Sequence, residues 1–495
     1  MATLLGGISP LIAVDRKAGA PLHKQIYDAY RARILDGNLR AGQQIPSTRE
    51  LAAELGISRI PVLNAYSQLL AEGYFETRVG SGTFVSSSLP DRLTSLGEHG
   101  VSQPDAGVGP RPIAERAATL PHEVRQPWVY NRGAFNVSQP ALEMFPVGVW
   151  SNLVTRYSRG LQVSALQYGG AMGLEELREA IAAYLRTSRG VRCEAGQIMI
   201  VSGSQQALDV SARVLLDPGA FVWTEEPGYW LVKHMLVAAG CRLVPVPVDK
   251  EGMNVVTGIK LCRKARAAYV APSHQYPLGV TMSASRRFQL LDWAQKTGSW
   301  IIEDDYDSEY RYESMPISSL QGLDHQSRVI YVGTFSKALF PSIRLGYMVI
   351  PSDLVEPFTA VRHAMDICPP HLYQAVLADF IREGHFSRHI RRMRLLYAER
   401  RTALVDCIRK EFGSMLEIPG TEAGMHLAVL LPNGFRDVDL STKAARQKLW
   451  LWPLSPCYLG ENSRQGFILG FGNTPAEEMP TAVRRLRSLF PNTAS

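Results

Sequence analysis

The sequence predicts two domains of different class: a winged helix-turn-helix over residues 15–87, and an α/β domain with a mostly parallel sheet and flanking helices over 129–495. Three observations predict this division. Residues 21–85 carry three helical patterns followed by a short hairpin pattern. From about Val129 onward, apolar β-like runs alternate with amphipathic helical runs, as in a parallel α/β sheet. Between the two, residues 88–128 lose apolar periodicity and collect Pro90, Gly97, Pro104, Gly107, Gly109, Pro110 and Pro112, which reads as a flexible interdomain linker.

The 495 residues exceed what one compact core holds, and 46% apolar with 20% charged residues is ordinary globular composition. A net charge of +7 is dilute over this length and permits an anionic partner without requiring one. The six cysteines are scattered, with no CxxC pair and no clustered histidines. Neither a zinc site nor a disulfide framework is therefore indicated, and a reducing cytoplasm is the expected location. Residues 1–14 lack a basic leader and are broken by Gly6, Gly7 and Pro10, which argues against a signal peptide. No uncharged apolar run approaches the ~20 residues of a membrane helix.

In the first domain, Ile26, Tyr30, Ile34 and Leu35 recur at helical spacing until Gly37 stops the helix. STRE then places Ser47 as the N-cap of a second, short helix with Glu50 as its capping-box partner. Ser58 is expected to cap a third helix that carries Val62, Tyr66, Leu69 and Leu70 on its apolar side, with Pro61 tolerated in the first turn. Two β-like runs around VGSG complete the wing. Arg49 and Arg59 begin the second and third helices, where a recognition helix presents its N-terminal residues to the major groove. The glycines of GSG let the wing approach phosphates closely.

In the large domain the run 175–185 predicts a helix, and 197–201 a strand that leads through SGSQQ into another helix. Such a strand, small-residue turn and helix N-terminus form a phosphate seat, with Ser204 and Gln205 as donors. The strand 221–224 leads into EEPGYW and places Tyr229 just past its C-terminal edge, where ligands of open α/β sheets bind. SWIIEDDYDSEYRY sets an apolar strand directly before acids. Asp304 suits a pyridinium nitrogen and Tyr306 the ring's phenolic oxygen, while Asp305, Asp307 and Glu309 are expected to form a solvated acidic loop. The next strand leads into GTFSKALFPSIRLGY, where Lys337 stands among small hydroxyl residues. A lysine that binds pyridoxal 5'-phosphate needs such a turn, with donors for the phosphate; Thr334, Ser336 and Arg344 are of that type. The basic run 386–401 reads as a packed helix with Ile390, Met393, Leu395, Leu396 and Tyr397 inward, and Trp450 and Trp452 read as core or pocket wall.

Residues 21–85 resemble the GntR family of bacterial regulators through PSTRELAAELGISR, AYSQLLAEG and GSGTFV. The remainder, from about Asn136, resembles fold-type I aminotransferases, and the combination resembles the MocR/GabR subfamily, most specifically in EDDYDSEYRY and GTFSKALFPSIRLGY. The resemblance implies DNA contacts by Arg49, Arg59 and the backbone around Gly80; Ser58 and Asn64 are further candidates, with Asn64 and indirect readout expected to carry more of the specificity. It implies that Lys337 forms the internal aldimine of pyridoxal 5'-phosphate, that Asp304 pairs with the pyridine nitrogen, that Tyr306 touches the ring oxygen and that Tyr229 stacks. Ser204, Gln205, Ser336 and Arg344 would serve the phosphate, and Tyr168 the site of the neighbouring subunit. There are departures. Ile60, Pro61 and Leu63 stand where the family's recognition helix is commonly polar. Leu231 replaces an arginine of the GABA-responsive member, GFILGFG lacks the carboxylate-gripping arginine, and Tyr276 replaces an asparagine.

The expected function is a cytoplasmic, homodimeric transcription regulator that binds double-stranded operator DNA and senses a small amine or amino-acid effector by aldimine exchange at Lys337. The alternatives are an active aminotransferase with an appended DNA-binding domain, or a dimer in which the cofactor is structural and a protein partner regulates.

Overall fold

The computed structural model of the protein describes residues 12–87, 111–118, 133–137, 139–312, 318–460 and 463–490. The chain divides into two compact units, Met1–Pro112 and Ile113–Ser495. Of the expected linker only 111–118 are described, including a short helix Glu115–Ala118. The rest of it, and the start of the α/β region at 129–132, lie outside the described residues.

The first unit orders α1 (Leu22–Leu35), β1 (Gln44–Ile45), α2 (Thr48–Glu54), α3 (Arg59–Ala71), β2 (Phe75–Arg78) and β3 (Gly82–Val85). The strands form an antiparallel sheet in the order β1, β3, β2. β1 escapes a reading by periodicity because two residues have none. Tyr30, Tyr66 and Phe75 pack edge to face at 5.2 to 5.7 Å. The two tyrosine hydroxyls lie 3.1 Å apart, and Tyr66 donates to the Pro46 carbonyl at 3.0 Å, so the aromatic core strands neither of them. Leu35, expected on the apolar side of α1, is instead exposed at the helix end.

The capping box of α2 is present. Ser47 Oγ accepts from the Glu50 N–H at 3.3 Å, and the Glu50 carboxylate accepts from the Ser47 N–H at 2.7 Å. Ser58 occupies the N-cap position of α3, but its side chain makes no capping bond there, contrary to expectation. Its hydroxyl stays on the exposed surface. Ser47→Ala should therefore destabilise the first unit by ~1 kcal/mol, read as faster hydrogen exchange of the α2 amides, while Ser58→Ala should be close to neutral.

The second unit is built on an eight-stranded sheet. Its order is β4 (Ile198–Val201), β11 (Gly346–Val349), β10 (Val329–Thr334), β9 (Trp300–Asp305), β8 (Ala267–Val270), β5 (Phe221–Glu226), β6 (Arg242–Asp249) and β7 (Gly252–Met253). From β10 to β6 all neighbours are parallel; β11 opposes both β10 and β4, and β7 opposes β6. The strands β4, β8, β9, β10 and β11 are buried along their whole length, which explains the largely apolar runs of all but β9, whose second half is the buried Glu303, Asp304 and Asp305. A smaller antiparallel sheet joins β12 (His426–Leu430), β14 (Gly466–Gly470) and β13 (Trp452–Pro453).

The basic run lies in one helix, His385–Phe412, which buries Ile390, Met393 and Tyr397. Leu395 is 70% exposed and faces away from that core, a correction to the pattern read from sequence. Trp450 is buried, and Trp452 stacks on Trp230 at 5.7 Å. Among the described residues, no helix is long and apolar enough to cross a membrane.

Candidate functional site

Because neighbouring parallel strands end on the same edge, residues far apart in sequence meet there. The turn after β4 brings Gly203, Ser204 and Gln205; the loop after β5 brings Tyr229; β8 brings Tyr269; β9 brings Asp304, Tyr306 and Asp307; and β10 brings Thr334, Ser336 and Lys337. These line one cavity of about 200 Å³, closed by Arg344, Val137, Leu231, Tyr276, Met425 and His426. Of the residues expected at a cofactor, Tyr168 alone lies outside it, 83% exposed.

One end of the cavity gathers groups of a kind that suits an anion. The helix Ser204–Leu215 points its N-terminus there, with the partial positive charge that its free N–H groups carry. Gly203 has φ of 95°, a backbone conformation that favours glycine, and a Cβ on it would come 3.3 Å from the Arg344 guanidinium, a tight contact. Arg344 is itself left-handed (φ 48°) and donates Nη2 to the Ser202 carbonyl at 2.6 Å. Thr334 Oγ1 accepts from the Ser336 N–H at 3.2 Å. Gln205 Nε2 and Ser336 Oγ are buried without a hydrogen-bond partner.

The other end carries the acid–base groups. Tyr269 Oη donates to Asp304 Oδ2 at 2.6 Å, while Oδ1 is buried and has no partner. Burial pushes the Asp304 pKa up to about 7; the Tyr269 hydrogen bond opposes this, and the charges of Asp305 and Asp307 add to it. Burial lowers Lys337 to about 8 against the attraction of Asp307 and Asp304. Tyr306 Oη lies 3.1 Å from His274 Nδ1, which is 3.0 Å from an Asp307 oxygen. Nδ1 holds at most one hydrogen; when it goes to Asp307, Tyr306 keeps its own for an acceptor in the cavity. Tyr229 packs its ring against Tyr276 at 5.3 Å.

The acidic stretch after β9 departs from the solvated loop expected of it. Asp305 and Asp307 are buried; Asp305 accepts from Arg189 Nε at 2.8 Å and from Tyr331, and Asp307 accepts from the Met425 N–H at 3.2 Å. Glu309 is largely inside and accepts from Tyr184 at 3.1 Å. Their partners come from distant positions, so spacing alone gives no hint of them. Sequence reasoning likewise misses Tyr269, His274 and His426. The available signal for Tyr269 is the lone hydroxyl in AAYV: it pairs with Ile302, two residues before Asp304, and so shares that face of the sheet. Arg464 pairs with Glu417 at 2.7 Å on the surface and takes no part in the cavity.

Four buried carboxyls have raised pKa values: Glu225 to about 8, and Asp304, Glu303 and Glu309 to about 7, all chiefly through burial. A folded-state pKa above the unfolded one near 4 gives stability that is complete below pH 4 and is lost as pH rises through 7 to 8. Burial lowers His389 to about 4 and His426 well below its ordinary value, and these act in the opposite sense up to about pH 6.5. Above it the thermal midpoint of the ligand-free protein should fall toward pH 8, and Asp304→Asn should flatten that fall. Lys337 acts in the opposite sense only above about pH 8.

In the first unit, Arg49 and Arg59 are exposed at the starts of α2 and α3, and Arg59 Nε donates to Thr48 Oγ1 at 3.0 Å. Ser58 and Asn64 are exposed on the same helix, and Gly80 turns the wing with φ of 75°. Ile60 is 67% and Leu63 39% exposed. Val62, Ala65, Tyr66 and Leu69 occupy the buried side.

Residues 22–85 match the bacterial regulatory proteins of the gntR family, and residues 141–486 match aminotransferase class I and II. The chain is 39% identical over 480 residues to a probable rhizopine catabolism regulatory protein, MocR, of Rhizobium meliloti, covering 97% of this chain and 96% of that one. An archaeal alanine:glyoxylate aminotransferase superposes with a TM-score of 0.72 at 27% identity, over 77% of this chain and 98% of its own. Kynurenine aminotransferase from Pyrococcus horikoshii, solved in complex with PMP, superposes with 0.71 at 27%, over 76% and 96%. With a GntR winged helix in front of a class I and II aminotransferase domain and a full-length MocR relative, the chain belongs to the MocR/GabR subfamily of GntR-family transcriptional regulators.

Proposed function

We propose that the protein is a pyridoxal 5'-phosphate-dependent transcription regulator that binds operator DNA through residues 15–87 and senses a small amine or amino acid in the domain 129–495, the two joined by the linker 88–128. The observation that carries the cofactor assignment is the set of buried atoms without partners on the cavity wall: Asp304 Oδ1 at one end, Gln205 Nε2 and Ser336 Oγ at the other. Buried polar atoms are rarely left unpaired, and these three match a pyridinium N–H and phosphate oxygens.

In this reading Ser204, Gln205, Ser336 and Arg344 would hold the phosphate, Tyr229 would stack on the ring, Tyr306 would donate to its phenolic oxygen, and Asp304 would keep a proton on its nitrogen. When bound, the group would supply an aldehyde carbon for primary amines, and Lys337 would be the residue an effector amine displaces. A Lys337 pKa near 8 leaves a useful neutral fraction of the amine at cytoplasmic pH. Tyr168, exposed on its own subunit, serves the neighbouring site of a homodimer, and two winged helices then meet two half-sites of the operator.

The test follows absorbance of the bound cofactor while amines are added, beside DNA binding by the same preparation. Catalytic turnover with no effect of any amine on DNA affinity would favour the active aminotransferase over the sensor. Arg49→Ala and Arg59→Ala should each weaken binding to all duplexes and lower the slope of log K against log salt by about one. An unchanged slope would remove these arginines from the interface.

A further inference from the structure

Resting on the DNA-binding reading above, we infer that α3 reads thymine: Ile60 and Leu63 meet the C5-methyl groups of thymines in the major groove. Ile60, Leu63 and Asn64 lie three and four residues apart and therefore share one face of the helix. That face is opposite the buried one, which carries Val62 and Tyr66, and its two apolar side chains remain 67% and 39% exposed. Large aliphatic side chains left in water across the first turn call for an apolar occupant.

The surroundings select duplex DNA as that occupant. Exposed Arg59 begins the helix that carries the patch and bonds Thr48 at the start of α2, next in sequence to exposed Arg49, while the Glu50 carboxylate is turned back onto the Ser47 N–H. The α3 N-terminus, uncapped by Ser58, adds its own partial positive charge. A patch that is apolar at its centre and cationic at its rim matches a groove floor that presents methyl groups between two phosphate strands. The geometry limits the site further. Side chains at i and i+3 stand about 5–6 Å apart, and base pairs rise about 3.4 Å, so the two methyls belong to base pairs within two steps of each other. Asn64 beside Leu63 has the donor–acceptor pair that fits adenine N6 and N7. The core of each half-site is therefore rich in A·T pairs.

The experiment selects duplexes from a randomised pool with the full chain, then compares the enriched sequence made with thymine or with deoxyuridine, which removes only the methyl. Wild type should lose about fourfold in affinity per contacted methyl, the equivalent of one buried carbon. Ile60→Ala combined with Leu63→Ala should bind both duplexes equally. Equal binding of the two duplexes by wild type would overturn the inference while leaving operator binding intact. A pool that never enriches would overturn the DNA-binding reading together with it. If the double variant alters only the oligomeric state and keeps the methyl preference, the patch is a protein contact and the inference is wrong.

Discussion

Lys337→Ala is expected to abolish the absorbance of lysine-linked cofactor, leaving added amines to meet a free aldehyde instead of exchanging with the lysine, while DNA affinity without effector stays within about twofold of wild type. The loss is complete rather than graded because Lys337 is the one lysine on the cavity wall among the described residues. No neighbouring amine can take its place. The unchanged basal DNA binding follows from the position of Lys337 in the second compact unit, whereas α3 belongs to the first. The variant also removes a cation that attracts Asp304 and Asp307, so Asp304 should titrate higher still than about 7. Spectra that still show a lysine-linked chromophore in Lys337→Ala would refute the assignment. An effector response that persists in protein stripped of the cofactor would instead place the sensor elsewhere.

The chemistry of the large domain is legible in the sequence because its groups sit at strand ends, and a strand end is a local event. An apolar run, a small-residue turn and a helix start announce Ser204, Tyr229, Asp304 and Lys337 one after another, and the parallel sheet then brings them to one edge. The capping box of α2 is legible for the same reason, since Ser47 and Glu50 are three residues apart. Pairing over distance is not. Asp305 and Asp307 look like solvated acids until Arg189 and His274 arrive from 116 and 33 residues away. The order of the sheet, with antiparallel β11 inserted between β4 and β10, likewise depends on packing that no single segment records. Ile60 and Leu63 show the converse. They carry the apolar signature of a core, yet helical phase sets them on the outside.

Asp304→Asn should weaken cofactor binding roughly tenfold to a hundredfold, the range of a charge-assisted hydrogen bond of about 1.5–3 kcal/mol, without displacing the phosphate donors. The amide keeps the shape of the carboxyl and can still accept from Tyr269, so folding should be preserved. It cannot hold a negative charge, and the ring nitrogen would lose its preference for the protonated form. The pH dependence separates this role from simple packing. In wild type the carboxylate form grows as pH passes through about 7, and it is this form that attracts a pyridinium; cofactor affinity should therefore rise across that window. In Asp304→Asn this rise should be absent. Tyr269→Phe supplies an intermediate case, since loss of the 2.6 Å hydrogen bond to Oδ2 removes a contact that favours ionisation and should move the rise to higher pH. Ser336→Ala, at the opposite end of the cavity, should weaken binding with the wild-type pH profile retained. Equilibrium dialysis of the four proteins between about pH 6 and 8.5 brackets the Asp304 titration. An Asp304→Asn variant that kept the wild-type profile would detach this carboxyl from the ring nitrogen.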